Sequence, residues 1–222
     1  MKIWWLLIPL GVYYVVNNGT VFMGMELLQT VLEKWDPGWQ ILYLQTLIKM
    51  AGMFLGGVAV FSFYKKENEI AKKFTERKEL KSKEIIKLIF VGSFLGIGLN
   101  MLFSFLAFTQ SSETYKRVAE SQFSVPLGLA ICFYGILSPI VEEIVFRGII
   151  YRSLKRSVGL IMATIGSAFL FGGFHGNIVQ MIYGGMMGIV FSCYYEKYGK
   201  IMAPILLHGA ANIAVYFMIY FA

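Results

Sequence analysis

The chain has 222 residues, of which 57% are hydrophobic and only 15% charged, and its mean hydropathy is +0.64. These values exclude an ordinary soluble domain and point to an all-α, polytopic membrane protein. A net charge of +7 would suit nucleic acid if spread over a soluble surface, but nine of the 20 basic residues crowd into one stretch between apolar runs, so no nucleic-acid partner is expected.

A membrane span needs about 20 mostly apolar residues. Windows of that length predict about seven, in a single membrane-embedded domain over 1–222: Ile3 to Phe22, Trp39 to Tyr64, Ile85 to Phe108, Phe123 to Phe146, Leu160 to Phe174, Ile178 to Tyr195 and Ile201 to Ala222. An eighth or a re-entrant piece stays open, because the fifth window is short and the second carries Lys49. Met1-Lys2 followed by Ile3 to Leu10 is like a signal sequence, yet no small-x-small cleavage site follows, so it reads as an uncleaved first helix. Between the second and third spans, residues 65–87 hold Lys65, Lys66, Lys72, Lys73, Arg77, Lys78, Lys81, Lys83 and Lys87, interleaved with Glu67, Glu69, Glu76, Glu79 and Glu84. The positive-inside rule makes this loop cytoplasmic, expected as a solvated helical arm touching anionic lipid heads. Lys2, Arg152, Lys155, Arg156, Lys197 and Lys200 then share its side, while Lys34, Lys116 and Arg117 lie opposite. The expected topology has a cytoplasmic amino terminus and Ala222 outside.

Gly52-x-x-x-Gly56, Gly92-x-x-x-Gly96 and Gly184-x-x-x-Gly188 would let helix backbones approach closely in lipid. Cys132 and Cys193 fall in predicted spans and imply neither a disulfide nor a cysteine metal site; they read as packing residues. Pro139 stands one turn before a glutamate pair and Pro204 one turn before His208, and each would free a backbone carbonyl and bend its helix.

Three short polar groups interrupt the apolar sequence of residues 123–212, and they contain both histidines of the chain. Ionisable side chains are costly in hydrocarbon, so such residues usually face a bundle interior and act on a substrate, ion or proton. Glu143 and Arg147 are four apart and share a helix face, which allows them to neutralise each other. Glu142 is turned by about 100° and lacks an obvious local partner, which makes it the candidate base, although a purely structural salt-bridge cluster fits the pattern equally well. His175 follows Phe171 by one turn among Gly172, Gly173 and Gly176, which leave the imidazole reachable. His208 and Asn212 are four apart with Gly209, Ala210 and Ala211 between them. Two N–H donors aimed into one cavity are what a developing oxyanion requires.

Depth along the helices is a partial check. At 1.5 Å per residue Glu143 stands ~20 Å from an end near Arg156, and His175 ~25 Å from a start near Val158, but His208 only ~12 Å from Lys200. The last helix must therefore tilt, begin lower or draw the site inward.

Glu142-Glu143-Ile-Val-Phe-Arg147, Phe171-Gly-Gly-Phe-His175 and His208-Gly-Ala-Ala-Asn212 resemble, in order and spacing, the EExxxR, FxxxH and HxxxN motifs of the CAAX prenyl protease and bacteriocin-processing (Abi) family of intramembrane glutamic endopeptidases. The resemblance implies a helical membrane protease acting on a membrane-associated peptide or protein. In it Glu142 and His175 activate water, His208 and Asn212 form the oxyanion hole, and Glu143 with Arg147 hold the site. It implies a bacterial cell-membrane protein of peptide maturation or bacteriocin self-immunity, working without a cofactor.

Other readings stay open. Glu142, His175 and His208 could ligate zinc in a metalloprotease, though no His-Glu-x-x-His helix is present and Asn212 would lack a role. A proton-coupled transporter could relay protons through the same residues, against which stands the absence of an internal repeat. A non-catalytic immunity protein would keep the fold without the activity.

Overall fold

In a computed structural model of the protein, residues 4–34, 40–73, 78–106 and 108–221 are described, and every regular element among them is helical. Lys2, Ile3, Trp39, Glu76, Arg77 and Ala222, named above, lie outside the described residues. We number the helices α1 (Trp4–Leu32), α2 (Gln40–Lys72), α3 (Ser82–Phe105), α4 (Glu113–Phe123), α5 (Leu127–Gly173), α6 (Ile178–Tyr198) and α7 (Met202–Tyr220). By length and hydropathy α2, α3, α5, α6 and α7 can each cross a membrane. Their outer surfaces carry exposed Phe54, Phe90, Phe94 and Phe169, the pattern of a lipid-facing perimeter.

The 47 residues of α5 are twice what one crossing needs, and the helix folds back on itself at Gly159. The φ of 81° and ψ of 178° there are open only to glycine, so the turn is written into that residue. Ser167 Oγ in the second arm donates to the Phe146 carbonyl in the first, at 2.9 Å, which shows the arms running antiparallel side by side. The sequence separates these arms correctly: its apolar window ends at Phe146 and its depth reckoning takes the helix to near Arg156, and the helix continues to residue 158.

Two stretches of the first arm, Ile131–Leu137 and Ile144–Tyr151, take the wider π geometry on either side of Ser138–Glu143. The cause at the first is Pro139. The Ser138 N–H reaches back five residues to Phe133 O, so the next carbonyl in that register, Tyr134 O, faces a proline with no N–H to give.

Close approaches fix the helix positions. Gly52 packs against Asn17 and Val21 and Gly56 against Tyr13, setting α1 antiparallel to α2. Val141 lies against Gly57 and Tyr64 against Gly148, so α2 and the first arm of α5 run parallel in constant register. Gly92 and Gly96 of α3 lie against Leu207 and Ala211 of α7. The small-residue spacings thus do serve packing.

Cys132 and Cys193 do not: both are free and exposed, on outward faces of their helices. Of the expected basic arm, residues 65–72 continue α2 and 82–87 open α3, while 78–81 are not helical. It is also tied down, because Glu67 pairs with Arg156 at 2.6 Å. The depth mismatch at His208 resolves through Ile201, which packs with Tyr151, Ala163 and Leu154. The turn between α6 and α7 therefore stands level with residues 151–154 near the end of the first arm, while the hairpin tip at Gly159 reaches one to two turns beyond it. The helices do not share a common base, and no special tilt of α7 is needed.

A Cβ added at Gly92 would stand 2.2 Å from the Leu207 carbonyl oxygen, whereas one at Gly98 would meet nothing within 4 Å. Gly92→Ala is expected to lower stability by about 1–3 kcal/mol, and Gly98→Ala to leave it unchanged or slightly raised. Thermal unfolding of the two variants in detergent checks this.

Candidate active site

Among the described residues, the largest side chain that is fully buried is Arg147, not an apolar residue. Its Nη1 donates to Glu143 Oε1 at 3.0 Å and its Nη2 to the Gly188 carbonyl at 3.0 Å. The guanidinium carbon lies 4.5 Å from the ring centre of Phe171 and 5.1 Å from that of Phe191. A carboxylate, a carbonyl and two aromatic faces thus replace the water that the cation lost. Glu143 is equally buried, and the pair expected from the i,i+4 spacing is formed.

The same Glu143 Oε1 lies 3.0 Å from His208 Nδ1. That oxygen already accepts from Arg147, so Nδ1 carries the hydrogen and donates it. His208 is further held by Phe191, stacked at 4.8 Å, and by Phe171, edge-on at 5.6 Å. Its other nitrogen, Nε2, points to Glu142 Oε2 at 3.9 Å.

Glu142 differs from its neighbour as the helix rotation requires. Oε1 accepts from Ser138 Oγ at 2.5 Å, one turn earlier, and Oε2 is buried without a hydrogen-bond partner. The sequence reading left this carboxylate without a local partner; Ser138 corrects that. The signal was present in the i,i+4 spacing, but a serine in an apolar helix also reads as a residue bonding its own backbone.

His175 lies in the turn just after the second arm of α5, where its Nδ1 meets the Phe171 carbonyl at 3.0 Å. A carbonyl oxygen only accepts, so Nδ1 is protonated and Nε2 is left with a free lone pair. Phe171 touches both histidine rings, lying edge-on to His175 at 5.2 Å. The first residue of Phe171-x-x-x-His175 is thus a spacer between the two imidazoles. Asn212 Nδ2 donates to Tyr134 O at 2.8 Å, the carbonyl that Pro139 leaves without a partner, so one amide hydrogen is committed and one remains.

Glu142, His175, His208 and Asn212 all line one cavity of about 570 Å³, with Ser138, Phe171 and Phe191, while Glu143 and Arg147 lie behind its wall. Among the described residues, no three side chains of His, Cys, Asp and Glu come together as a metal-ligand set. The cavity offers an unbonded carboxylate oxygen, an imidazole nitrogen not bonded to the protein, and further donors, within a wall of helices. Phe191 and the Gly188 carbonyl were not found from sequence, because α6 carries no motif at a fixed spacing from the others.

This fold and cavity define a membrane-embedded helical protein built around a carboxylate and two histidines. Residues 124–214 match the family of type II CAAX prenyl endopeptidases described as Rce1-like, and that stretch contains all three motifs. The chain is similar to the putative membrane peptidase YdiL of Bacillus subtilis, 29% identical over 109 residues, which is 49% of this chain and 44% of that protein. It is also similar to the membrane-embedded CAAX protease MroQ of Staphylococcus aureus, 28% identical over 148 residues, 60% of each. The chain thus spans about half the length of the curated relatives that it matches, and no solved structure matches it at a significant level. The resemblance drawn from the motifs holds over residues 124–214, and both relatives are bacterial membrane proteins.

Removing the Glu143 charge leaves the Arg147 cation and the His208 donor facing an amide. Glu143→Gln is expected to cost about 3–5 kcal/mol, while Glu142→Gln, whose Oε2 makes no bond, should cost far less. Thermal unfolding or chemical denaturation of the two purified variants distinguishes them.

Proposed function

We propose that the protein is an intramembrane endopeptidase that hydrolyses a peptide bond of a membrane-associated peptide or protein. The observation that carries this reading is the pair of free basic atoms, Glu142 Oε2 and His175 Nε2, opening into one cavity beside Asn212 and His208. The two positions are prepared for water, since each group has its other heteroatom tied to the protein. Glu142 takes a proton from water, the hydroxide adds to the substrate carbonyl, and the same proton passes to the amide nitrogen as the bond breaks. The negative charge that gathers on the carbonyl oxygen is met by the second Asn212 N–H and by His208. Because Nδ1 of His208 already donates to Glu143, its Nε2 can donate to that oxygen only when the ring holds a proton on both nitrogens.

The similarity to bacterial membrane peptidases supports a place in the bacterial cell membrane, and the motif resemblance implies a part in peptide maturation or bacteriocin self-immunity. Charge distribution supports a cytoplasmic amino terminus and an external carboxyl terminus. The reaction as drawn uses no metal, every step being assigned to a side chain.

Cleavage of a peptide library by detergent-solubilised protein is expected for wild type and absent for Glu142→Gln. Asn212→Ala should lower kcat by roughly a hundred- to a thousandfold with KM little changed. Near-normal cleavage by a folded Glu142→Gln variant would overturn the assignment. About one zinc per chain, with activity lost on chelation and regained with metal, would replace it by the metalloprotease reading.

For orientation, single cysteines at Lys66 and at the carboxyl terminus can be placed in a background without Cys132 and Cys193. Only the terminal one should react with an impermeant reagent in intact cells. Labelling at Lys66 reverses the topology.

A further inference from the structure

Tyr13 of α1 is fully buried, and its hydroxyl is one of the buried polar atoms that bond nothing among the described residues. Phenylalanine would fill the same space, and burying a hydroxyl without a partner is costly, so packing alone does not account for the oxygen. Tyr13 stands outside the three motifs, and the histidine and carboxylate chemistry above gives it no task.

Contacts with three helices place that oxygen. The edge of the Tyr13 ring lies against Gly56 of α2, where an added Cβ would stand 2.9 Å from Cδ2, and the next residue, Gly57, meets Val141. Tyr13 is therefore level with the part of α5 that carries Glu142. Its ring centre is 5.4 Å from that of Phe174, the residue before His175. Asn17, one turn further along the same face of α1, lines the cavity, so Tyr13 lies one turn below that part of the wall. Glu142 is close enough to act on the Tyr13 hydroxyl electrostatically.

Glu142 supplies the other half. Ser138 holds its Oε1, Oε2 is buried without a partner, and His208 Nε2, at 3.9 Å from Oε2, is too far to bond it. An orphaned donor and an orphaned acceptor thus share one buried corner. We infer that Tyr13 is a positioning residue for Glu142, its O–H donating to Oε2 when the carboxylate pivots about its bond to Ser138. A carboxylate has about four lone-pair sites, so the phenol and Ser138 together leave room for water on the same group. With a donor on each oxygen the plane of the carboxylate is set, and the lone pair that meets the cavity is aimed rather than free to turn.

This inference rests on the endopeptidase reading for its catalytic meaning, but the contact itself is read without cleavage, so the two can fail separately. Infrared difference spectra of the detergent-solubilised protein, wild type minus Glu142→Gln, isolate the Glu142 carboxyl band. The same subtraction in a Tyr13→Phe background shows that band without the phenol oxygen. A donor weakens the C–O bond that it polarises, so the band is expected at higher wavenumber in Tyr13→Phe, whether the group is ionised or protonated. On a library peptide that the wild type cuts, Tyr13→Phe should lower kcat about tenfold with KM little changed, the size of one hydrogen bond to a charged group, and the unfolding temperature should hold. Tyr14→Phe, the same change on the exposed neighbouring ring, should do none of this. An unmoved band overturns the inference, and if activity and unfolding temperature then fall together, Tyr13 is a packing residue. A moved band with unchanged kcat also overturns the positioning role. A moved band with no cleavage of any peptide by the wild-type protein leaves the contact standing and overturns the endopeptidase reading.

Discussion

Everything at the site depends on a salt bridge that water never reaches. The Glu143 and Arg147 side chains are fully inaccessible, and a buried pair of this kind persists only where further partners repay its desolvation. Here those partners come from four directions: the Gly188 carbonyl on α6, the faces of Phe171 and Phe191, and His208 on α7. The pair therefore joins both arms of α5 with α6 and α7, and the helices bearing the three motifs meet at one guanidinium and one carboxylate. The match is incomplete, since Arg147 Nε and Glu143 Oε2 have no hydrogen-bond partner. Two such orphaned groups at the centre of a bundle are a standing cost of about 1–3 kcal/mol each, borne where the chemistry is proposed to occur.

Around that centre the protein assigns protons by geometry. Each histidine has Nδ1 committed, His175 to a backbone carbonyl and His208 to a carboxylate, so in both it is Nε2 that meets the cavity. The two imidazoles are nevertheless unequal. Behind His175 stands a neutral carbonyl, and behind His208 a carboxylate. One residue type thus serves two purposes because of what stands behind it, with Phe171 holding the rings apart.

The sequence made the outline of this arrangement legible. Apolar run lengths gave the helices, and the i,i+4 spacings gave the Glu143 with Arg147 pair and the common face of His208 and Asn212. Those are local facts, fixed by helical geometry within one element. What escaped was set between elements or by departures from regular helix. The apolar window stops at Phe146 because Arg147, Arg152 and Arg156 interrupt the hydropathy, although the depth reckoning carries the helix on to near Arg156. In the structure they are instead partnered by Glu143, by Asn68 with the Tyr195 hydroxyl, and by Glu67. The single depth argument that seemed to fail at His208 did so because it assumed that all helices start at one level. Tyr134 O became visible only once the π turn was known, whereas Ser138, four residues before Glu142, was passed over.

Those π turns make the first arm of α5 unusual in one further respect. A π turn holds one residue more than the α-helix around it would, so each stretch flanking Ser138–Glu143 behaves as an inserted residue that the fold has absorbed. Chain length here is consequently a functional quantity. Deleting one residue from Ile131–Leu137 would let that turn relax to α geometry and rotate everything before it by about 100° relative to Glu142, carrying Tyr134 O away from Asn212. Deleting one from 148–151 would turn the second arm, with Phe171 and His175, about the same axis. A length change that a regular helix in lipid might survive as a small shift in register would here separate the residues of a single cavity, with no motif residue altered.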